Sequence, residues 1–317
     1  MIHAHELVKS FGATRVLAGV NLDVAAGELL ALLGPNGSGK TTTVRILTTL
    51  LRADSGTATV AGHDVAREAA AVRRSIGLTA QHATVDEMLT GRENLDLFAG
   101  LNHLGRAVAR RCVAELLDRF DLASAADRGV RTYSGGMRRR LDLAASMVAA
   151  PRILFLDEPT TGLDPRSRAE LWTVIRELLA SGTTILLTTQ YLEEADQLAD
   201  RIAVIHDGRI VADDTPAALK RQVGSERLVL LLAHDGDIAH ASTLLSAEPG
   251  REMTVPLHSP DHLRNVLNRL GDAGIELEHV ELRTPTLDDV FFEMTDKPTD
   301  KSTDKPTDKS TDRGVTV

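Results

Sequence analysis

The sequence predicts an α/β core with an inserted helical subdomain, a small C-terminal α+β domain and a disordered tail. From the start to about residue 215, apolar β-branched segments alternate with amphipathic helical segments, which is typical of an α/β domain. Between roughly residues 83 and 150 the pattern becomes mainly helical. Strand and helix patterns begin again after about residue 220. We therefore divide the chain into residues 1–218, 219–294 and 295–317.

The clearest strand and helix patterns of the core lie beside polar segments. Buried strands are predicted over residues 28–33, 152–156 and 183–187, because short apolar runs occur there. Helices are predicted over residues 41–51 and 166–180, and the second has its apolar residues on one face. Polar residues follow each of the three strands. Since ligands bind at the ends of buried parallel strands, we expect a crevice there.

The C-terminal third has its own pattern. Strands are predicted over residues 227–232 and 275–282, with an amphipathic helix between them and a short helix beginning at Leu287. From Thr295 onward a repeat of the Thr-Asp-Lys-Pro type has no apolar residues to bury. Such a segment cannot offset the entropy cost of folding, so we expect it to be disordered.

Composition excludes several functional classes. With 26% charged and 43% hydrophobic residues, the chain resembles ordinary globular proteins. Its formal net charge of −9 argues against a nucleic-acid partner. Cys112 is the single cysteine, which excludes an internal disulfide framework, and its helical setting predicts a buried thiol. No apolar run reaches the ~18–20 residues that cross a bilayer, so we expect a cytosolic protein whose membrane role requires a partner.

Residues 34–42 match the phosphate-binding loop of P-loop NTPases, between a predicted strand and a predicted helix. The glycines let successive N–H groups point at phosphate oxygens, and the helix N-terminus adds a partial positive charge. Lys40 is expected to reach the β- and γ-phosphates, and Thr41 to bind Mg²⁺. The alternative is a purely structural glycine turn. The predicted ATP contacts are Gly34, Pro35, Asn36, Gly37, Ser38, Gly39, Lys40, Thr41 and Thr42.

Two adjacent carboxylates follow the predicted strand at 152–156. Asp157 is placed to hold Mg²⁺, and Glu158 is placed to polarise an attacking water. Phosphoryl transfer needs mainly positioning and neutralisation of charge, so a lysine, a metal and a carboxylate base form a sufficient minimal set. The alternative is a solvated strand end, which the preceding apolar run disfavours.

Six segments occur in a characteristic order: residues 34–42, Gln81, residues 133–137, residues 153–159, residues 162–165 and a Thr-Thr-Gln segment ending at Gln190. This order resembles the nucleotide-binding subunit of an ABC transporter, over about residues 2–218. Within that superfamily, residues 133–144 and 189–200 resemble the daunorubicin/doxorubicin-resistance type of exporter ATPase. Residues 285–292 fit the same type.

The resemblance implies a head-to-tail homodimer with two ATP molecules between the subunits. Ser134, Gly135 and Gly136 would contact the γ-phosphate held by Lys40 of the partner subunit. Ser134 is also placed to cap the helix that starts there, which directs the helix N-terminus at an anion. Asp164 would lie at the dimer interface.

Three further positions follow from the resemblance. Gln81 matches the residue that links Mg²⁺ and the attacking water to a transmembrane partner, which would dock on the helical subdomain. Phe11 matches the aromatic residue that stacks on adenine, with a core phenylalanine as the alternative. Gln190 replaces the switch histidine, and Met137 replaces the glutamine of the signature. The implied metal ligands are Thr41, Gln81 and Asp157, and the implied catalytic residues are Lys40, Gln81, Glu158 and Gln190.

The sequence therefore predicts the ATP-hydrolysing subunit of an exporter, peripheral on the cytoplasmic face of the cell membrane. A separate transmembrane permease would carry a hydrophobic drug or lipid. The alternative is an ABC-type ATPase acting on ribosomes or DNA. A nucleotide kinase would leave residues 133–137 unexplained. The three arginines 138–140 point in different directions on a helix, so we expect them to be solvated or locally paired rather than to form a nucleic-acid patch.

Overall fold

The computed structural model of the protein describes residues 1–81, 84–223, 226–257 and 259–295. The strands are β1 (Ile2–Phe11), β2 (Thr14–Val24), β3 (Leu29–Leu33), β4 (Ser55–Val60), β5 (His63–Asp64), β6 (Ile76–Thr79), β7 (Ile153–Asp157), β8 (Thr184–Thr189), β9 (Arg201–His206), β10 (Arg209–Asp214), β11 (Arg227–Leu232), β12 (Glu252–Pro256) and β13 (Leu277–Arg283). The helices are α1 (Lys40–Leu47), α2 (Ala69–Ser75), α3 (Gly91–Leu101), α4 (Arg106–Arg119), α5 (Gly135–Met147), α6 (Pro165–Ala180), α7 (Leu192–Leu198), α8 (Pro216–Val223), α9 (Ile238–Leu245), α10 (Pro260–Asp272) and α11 (Leu287–Thr295).

A six-stranded sheet in the order β10-β9-β3-β8-β7-β6 forms the centre of the core. All of its pairings are parallel except that of β9 with β10. Strands β3, β8 and β7 therefore end at the same edge, as expected for a ligand crevice in an α/β sheet. This sheet confirms the predicted fold class and places the polar segments after β3, β7 and β8 close together.

The central strands are buried on both faces. In β7, Leu154 and Leu156 pack in the hydrophobic core that the helical subdomain and α6 share. Ile153 and Phe155 point the other way, into the core that contains α1 and β1. Successive strand residues face opposite sides of a sheet, so a strand between two cores is apolar throughout. This arrangement explains the uninterrupted apolar runs of the sequence.

A second, antiparallel sheet in the order β2-β1-β4-β5 covers one side of the core. The sequence did not predict this sheet, because its longest strands mix exposed charged residues with buried apolar ones and contain register shifts. Helices α3, α4 and α5 form the helical subdomain predicted at about 83–150. In α3, Thr90 accepts from Glu93 N and Thr90 N donates to the Glu93 carboxylate, a capping box that fixes where the helix begins.

The C-terminal part contains a three-stranded antiparallel sheet, β12-β11-β13, with α9 and α10 packed in the same hydrophobic core. Strand β12 and helix α9 were not predicted. The last helix, α11, leaves this unit and packs on the α/β core: Leu287 and Val290 lie with Leu219, Ile202 and Val204. The predicted disordered tail lies outside the described residues from residue 296. The boundaries 1–218 and 219–294 stay predictions.

Cys112 packs against the core of the helical subdomain but is only half-buried, so the expected buried thiol is partly exposed. Burial raises the pKa of Cys112, and its Sγ lies 3.6 Å from the Val148 carbonyl oxygen. Within the ranges that the structure describes, no helix combines the length and the apolarity needed to span a membrane.

Candidate active site

The loop over residues 34–39 joins β3 to α1 at the sheet edge. Glycine is required at position 34, because a Cβ there would lie 2.3 Å from the Ile205 carbonyl oxygen. Gly39 has a φ of 112°, a backbone conformation that side chains disfavour. The Ser38 hydroxyl is buried and has no hydrogen-bond partner within the described residues. A buried hydroxyl of this kind, beside the N-terminus of α1, fits a phosphate ligand.

Lys40 is held over this loop by its own chain. Its Nζ donates to the carbonyl oxygens of Gly34 at 2.8 Å and Pro35 at 3.0 Å. The same atom lies 3.3 Å from Oε1 of Glu158, and only 4% of Lys40 and 7% of Glu158 are exposed. The ammonium is therefore fixed between the loop and a carboxylate. The structure therefore brings these two predicted residues together.

Asp157 is the last residue of β7, and its carboxylate contacts the hydroxyl of Thr41 in α1. Its Oδ1 accepts from Thr188 Oγ1 at 2.5 Å and from Thr41 Oγ1 at 3.2 Å. A hydroxyl and a carboxylate at this separation are oxygen ligands of the kind that Mg²⁺ prefers, and Mg²⁺ takes its remaining ligands from water and phosphates. The residues present therefore fit a magnesium ion bound with a nucleotide.

Glu158 adopts an unusual backbone conformation. Its φ is 49°, in the left-handed region, which costs about 1–3 kcal/mol for a residue other than glycine. The fold maintains this conformation: Glu158 N donates to the carbonyl and hydroxyl oxygens of Thr188, both at 3.1 Å. Its Oε2 accepts from Thr161 Oγ1 at 3.4 Å and from Gln81 Nε2 at 3.5 Å. Gln81 therefore lies beside Glu158, and its predicted roles toward Mg²⁺ and a membrane partner stay predictions.

Arg139 is a buried residue of this region that the sequence reasoning missed. Its guanidinium donates to four backbone carbonyl oxygens and lies 3.5 Å from Asp142 Oδ2. Arg138 and Arg140 pair instead with Glu87 and Asp121. All three arginines have local acidic partners, but Arg139 is buried. Burial lowers the pKa of Arg139 and raises that of Asp142, because each loses hydration.

Ser134 caps α5, as predicted. Its Oγ accepts from Met137 N at 3.2 Å, and Ser134 and Gly135 are exposed. Gly136 is buried where α5 crosses α6, and a Cβ there would lie 2.7 Å from Ser167 Oγ. Within the described residues, no hydrogen bond joins Ser134 to the loop at 34–42 of the same chain. The structure therefore does not bring these two predicted ATP-binding segments into contact within one chain.

Asp164 is exposed and caps α6. Its carboxylate accepts from Ser167 N at 2.9 Å and from Ser167 Oγ at 2.7 Å, and these bonds hold its pKa below the ordinary value. Phe11 is 50% exposed at the end of β1, which excludes the core alternative. Lys9 Nζ lies 5.6 Å from the centre of its ring.

Gln190 directly follows β8 and is half-buried. The preceding Thr189 accepts a hydrogen bond from Gly34 N at 3.3 Å through its carbonyl oxygen. The backbone before Gln190 is thus attached to the start of the phosphate loop. This position fits a switch residue, and the contact of its side chain with a nucleotide stays a prediction.

The segment after Gln190 contains a buried carboxyl group. Glu194 Oε1 accepts from Nε1 of Trp172, the single tryptophan, at 3.1 Å. Burial raises the pKa of Glu194, although the hydroxyls of Thr189 and Thr160 and the Trp172 N–H oppose that shift. This group therefore connects α6 and α7 to the end of β8.

We expect Glu194→Gln to stabilise the protein near neutral pH. Since the folded pKa of Glu194 exceeds the unfolded one, the folded state binds more protons, and its stability falls as pH rises from the ordinary glutamic acid pKa through the raised one. An amide removes this penalty and can still accept from Trp172. A gain of about 1 kcal/mol would raise Tm by about 2–4 °C. The gain should vanish toward about pH 4, where the carboxyl is protonated in both states.

Thermal denaturation at several pH values measures this effect. Glu177→Gln, an equivalent change on the exposed side of α6, is the matched control. A stability difference that grew as the pH was lowered would contradict the expectation.

Comparison with known proteins shows which family the chain belongs to. Residues 17–161 match the family model for the ABC transporter, and residues 215–295 match the C-terminal domain of proteins like the ATP-binding proteins DrrA1-3. The chain is 53% identical over 309 residues to daunorubicin resistance ATP-binding protein DrrA2 of Streptomyces coeruleorubidus, covering 94% of this chain and 96% of the relative. The chain belongs to the ABC transporter ATP-binding family. It is an ABC-type ATPase.

A further relative and two solved structures are similar to this ABC cassette. The chain is 49% identical to daunorubicin/doxorubicin resistance ATP-binding protein DrrA of Streptomyces peucetius, over 94% of this chain and 93% of the relative. A solved ATP-binding subunit of an ABC transporter superposes with a TM-score of 0.63 at 30% identity, covering 70% of this chain and 92% of that one. The dimeric structure of a bacterial ABC transporter cassette gives a TM-score of 0.62 at 25% identity, covering 68% and 98%.

Proposed function

We propose that this ABC cassette hydrolyses ATP as a homodimer and powers export of a hydrophobic drug or lipid through a separate transmembrane permease. The observation that carries the proposal is the convergence of Lys40, Thr41, Asp157 and Glu158 at one sheet edge. The names of the relatives, which refer to resistance to daunorubicin and doxorubicin, support the drug as cargo. Its place would be the cytoplasmic face of the cell membrane, where the permease holds it.

The residues of the site have separate roles in phosphoryl transfer. The N–H groups of residues 34–42 and Lys40 would hold the phosphates, while Thr41, Asp157 and Gln81 would hold Mg²⁺. The bound ion would neutralise charge that develops on the phosphate oxygens. Glu158 is the base that would orient and deprotonate the attacking water, and its hydrogen bond with Gln81 would keep its carboxylate directed into the site.

The exposed Ser134 supports a site shared between two chains. A serine that caps an exposed helix N-terminus presents backbone N–H groups and a partial positive charge to an anion. Following the resemblance to ABC transporter subunits, the γ-phosphate that Ser134 would contact is one bound to the partner subunit. The exposed Asp164 and Phe11 would then lie at the subunit interface and against the adenine, respectively.

The helical subdomain has the surface expected for a membrane partner. Leu97 and Leu101 lie one turn apart on α3, so they share a face, and Leu101 is 65% exposed. Met88, just before α3, is 78% exposed. Two exposed leucines on one helix face, with a third exposed apolar residue shortly before the helix in sequence, favour a protein contact on α3. We propose this face as the docking site for the permease, close in sequence to Gln81.

Co-purification tests the proposed function. The full chain, expressed with the membrane protein encoded beside its gene, should be retained with that protein in detergent and should hydrolyse ATP there. A chain that binds no protein with transmembrane helices, and whose ATPase activity rises instead with ribosomes or DNA, would favour the alternative function.

Gln190 provides a specific test of the switch. We expect Gln190→Ala to lower kcat for ATP hydrolysis by about 10- to 150-fold, because one hydrogen bond to a charged phosphate contributes about 1.5–3 kcal/mol. We expect Gln190→His to introduce a pH dependence between about pH 5 and 8, since histidine changes charge there and glutamine does not. Steady-state phosphate release across this range measures both. A Gln190→Ala rate equal to that of the wild type would show that the assignment is wrong.

A further inference from the structure

We infer that Arg139 is a positioning residue that fixes the backbone beside Glu158 and Gln81 to helix α5. Its Nε donates to the Pro159 carbonyl oxygen at 2.7 Å, and its Nη1 donates to the Ala80 carbonyl oxygen at 2.7 Å. Its Nη2 is shared between the carbonyl oxygens of Asp157 at 3.2 Å and Glu158 at 3.1 Å. One side chain therefore holds the peptides adjoining both residues.

These carbonyls belong to the backbone that orients the proposed base. Glu158 has a left-handed backbone conformation, which persists only where the surroundings enforce it. Thr188 holds its N–H, and Arg139 holds the carbonyl oxygens before, at and after it. The planar guanidinium suits this task because its five donors keep a fixed geometry, which a lysine ammonium lacks.

A second contact from α5 holds the other side of the Gln81 segment. Asp142, one turn after Arg139, accepts from Thr84 N at 2.7 Å and from Thr84 Oγ1 at 2.6 Å. Arg139 and Asp142 thus fix Ala80 and Thr84, which lie on either side of Gln81. The same helix begins at the cap residue Ser134. The inference rests on the proposed function. In that function, a phosphate bound to the partner subunit would contact Ser134 at the start of α5, and Arg139 attaches the same helix to the backbone of Glu158.

The inference predicts an effect on turnover with little effect on ATP affinity. Arg139→Met should lower kcat by about 100-fold, because the orientation of Glu158 and Gln81 is no longer fixed. KM for ATP should change by less than about threefold, since among the described residues no hydrogen bond or ion pair joins Arg139 to Lys40 or to the phosphate loop. Arg139→Lys keeps the charge but cannot satisfy four carbonyls, so an intermediate loss of kcat, about tenfold, is expected.

Steady-state ATPase kinetics of the full-length variants give the kcat and KM values, and thermal denaturation gives Tm. Phe120→Leu is the control for general destabilisation, since Phe120 is fully buried in the core of the helical subdomain and is none of the residues assigned to the proposed site. It should lower Tm while kcat stays near the wild-type value at a temperature where all variants are folded. If Arg139→Met does not fold, the kcat of Arg139→Lys tests the inference instead.

Separate outcomes distinguish the two proposals. Wild-type kcat in folded Arg139→Met or in Arg139→Lys would overturn the inference and leave the proposed function intact. An equal loss of kcat in Phe120→Leu would also overturn it, because destabilisation alone would then explain the effect. A wild-type chain that binds ATP without hydrolysing it would overturn the proposed function and the inference together.

Discussion

Glu158→Gln should lower the rate of ATP hydrolysis by about 10²–10⁴-fold, the usual contribution of a general base. Glutamine has the shape of glutamate but cannot accept the proton of an attacking water. The change should also tighten ATP binding. Glu158 Oε1 lies 3.3 Å from Lys40 Nζ, so the carboxylate neutralises part of the charge that would attract phosphate. An amide removes that competing negative charge.

Tighter binding without hydrolysis should accumulate the ATP-bound dimer. Phosphate release measures the loss of turnover, and size-exclusion chromatography with light scattering, with and without Mg²⁺ and ATP, measures the dimer. Glu177→Gln, which changes an exposed carboxylate to an amide on α6, is the matched control and should behave as wild type in both assays. A Glu158→Gln chain that stays monomeric with ATP would contradict the shared site.

The residues around Lys40 could be predicted because their geometry is local. A glycine loop between a strand and a helix fixes Lys40 and Thr41 over a few residues, and a buried strand ending in two acids fixes Asp157 and Glu158. The parallel order of β3, β8 and β7 then brings these ends together. Each step depends on sequence pattern and on the general rule for strand ends in α/β sheets.

Arg139 could not be predicted in the same way. Three consecutive arginines on a helix indicate a solvated surface, and a charged side chain is seldom buried unless it is paired. Its burial depends on how α5 packs against the end of β7, where carbonyl oxygens of Asp157, Glu158 and Pro159 face the helix. The spacing of Arg139 and Asp142, one turn apart, was the available signal.

The sequence pattern likewise could not predict which surface α11 packs against. Its apolar side predicts a helix that buries one face, but not which surface that face meets. In the structure Leu287 and Val290 pack with Leu219 and with residues of β3 and β9, so the C-terminal unit contacts the α/β core through its last helix. Long-range contacts of this kind depend on the complete fold.

Lys40→Met and Ser134→Glu should each reduce ATP hydrolysis to a small fraction of the wild-type rate, for different reasons. Lys40→Met removes the ammonium that would bind phosphate, so ATP binding should weaken by about 10- to 150-fold, equivalent to about 1.5–3 kcal/mol for a charged hydrogen bond. Ser134→Glu places a carboxylate at the N-terminus of α5. That substitution suits the helix dipole, so folding should persist, but it repels the phosphate of the partner subunit.

Mixing the two inactive chains should restore hydrolysis. In a mixed dimer, Lys40 of the Ser134→Glu chain faces the intact Ser134 of the other chain, which completes one of the two sites. Random pairing of equal amounts makes half of the dimers mixed, so roughly a quarter of the wild-type activity returns if the sites act independently. Mixing Lys40→Met with a chain carrying both substitutions completes no site and is the control. Activity no higher than in that control would show that the site is not shared between chains.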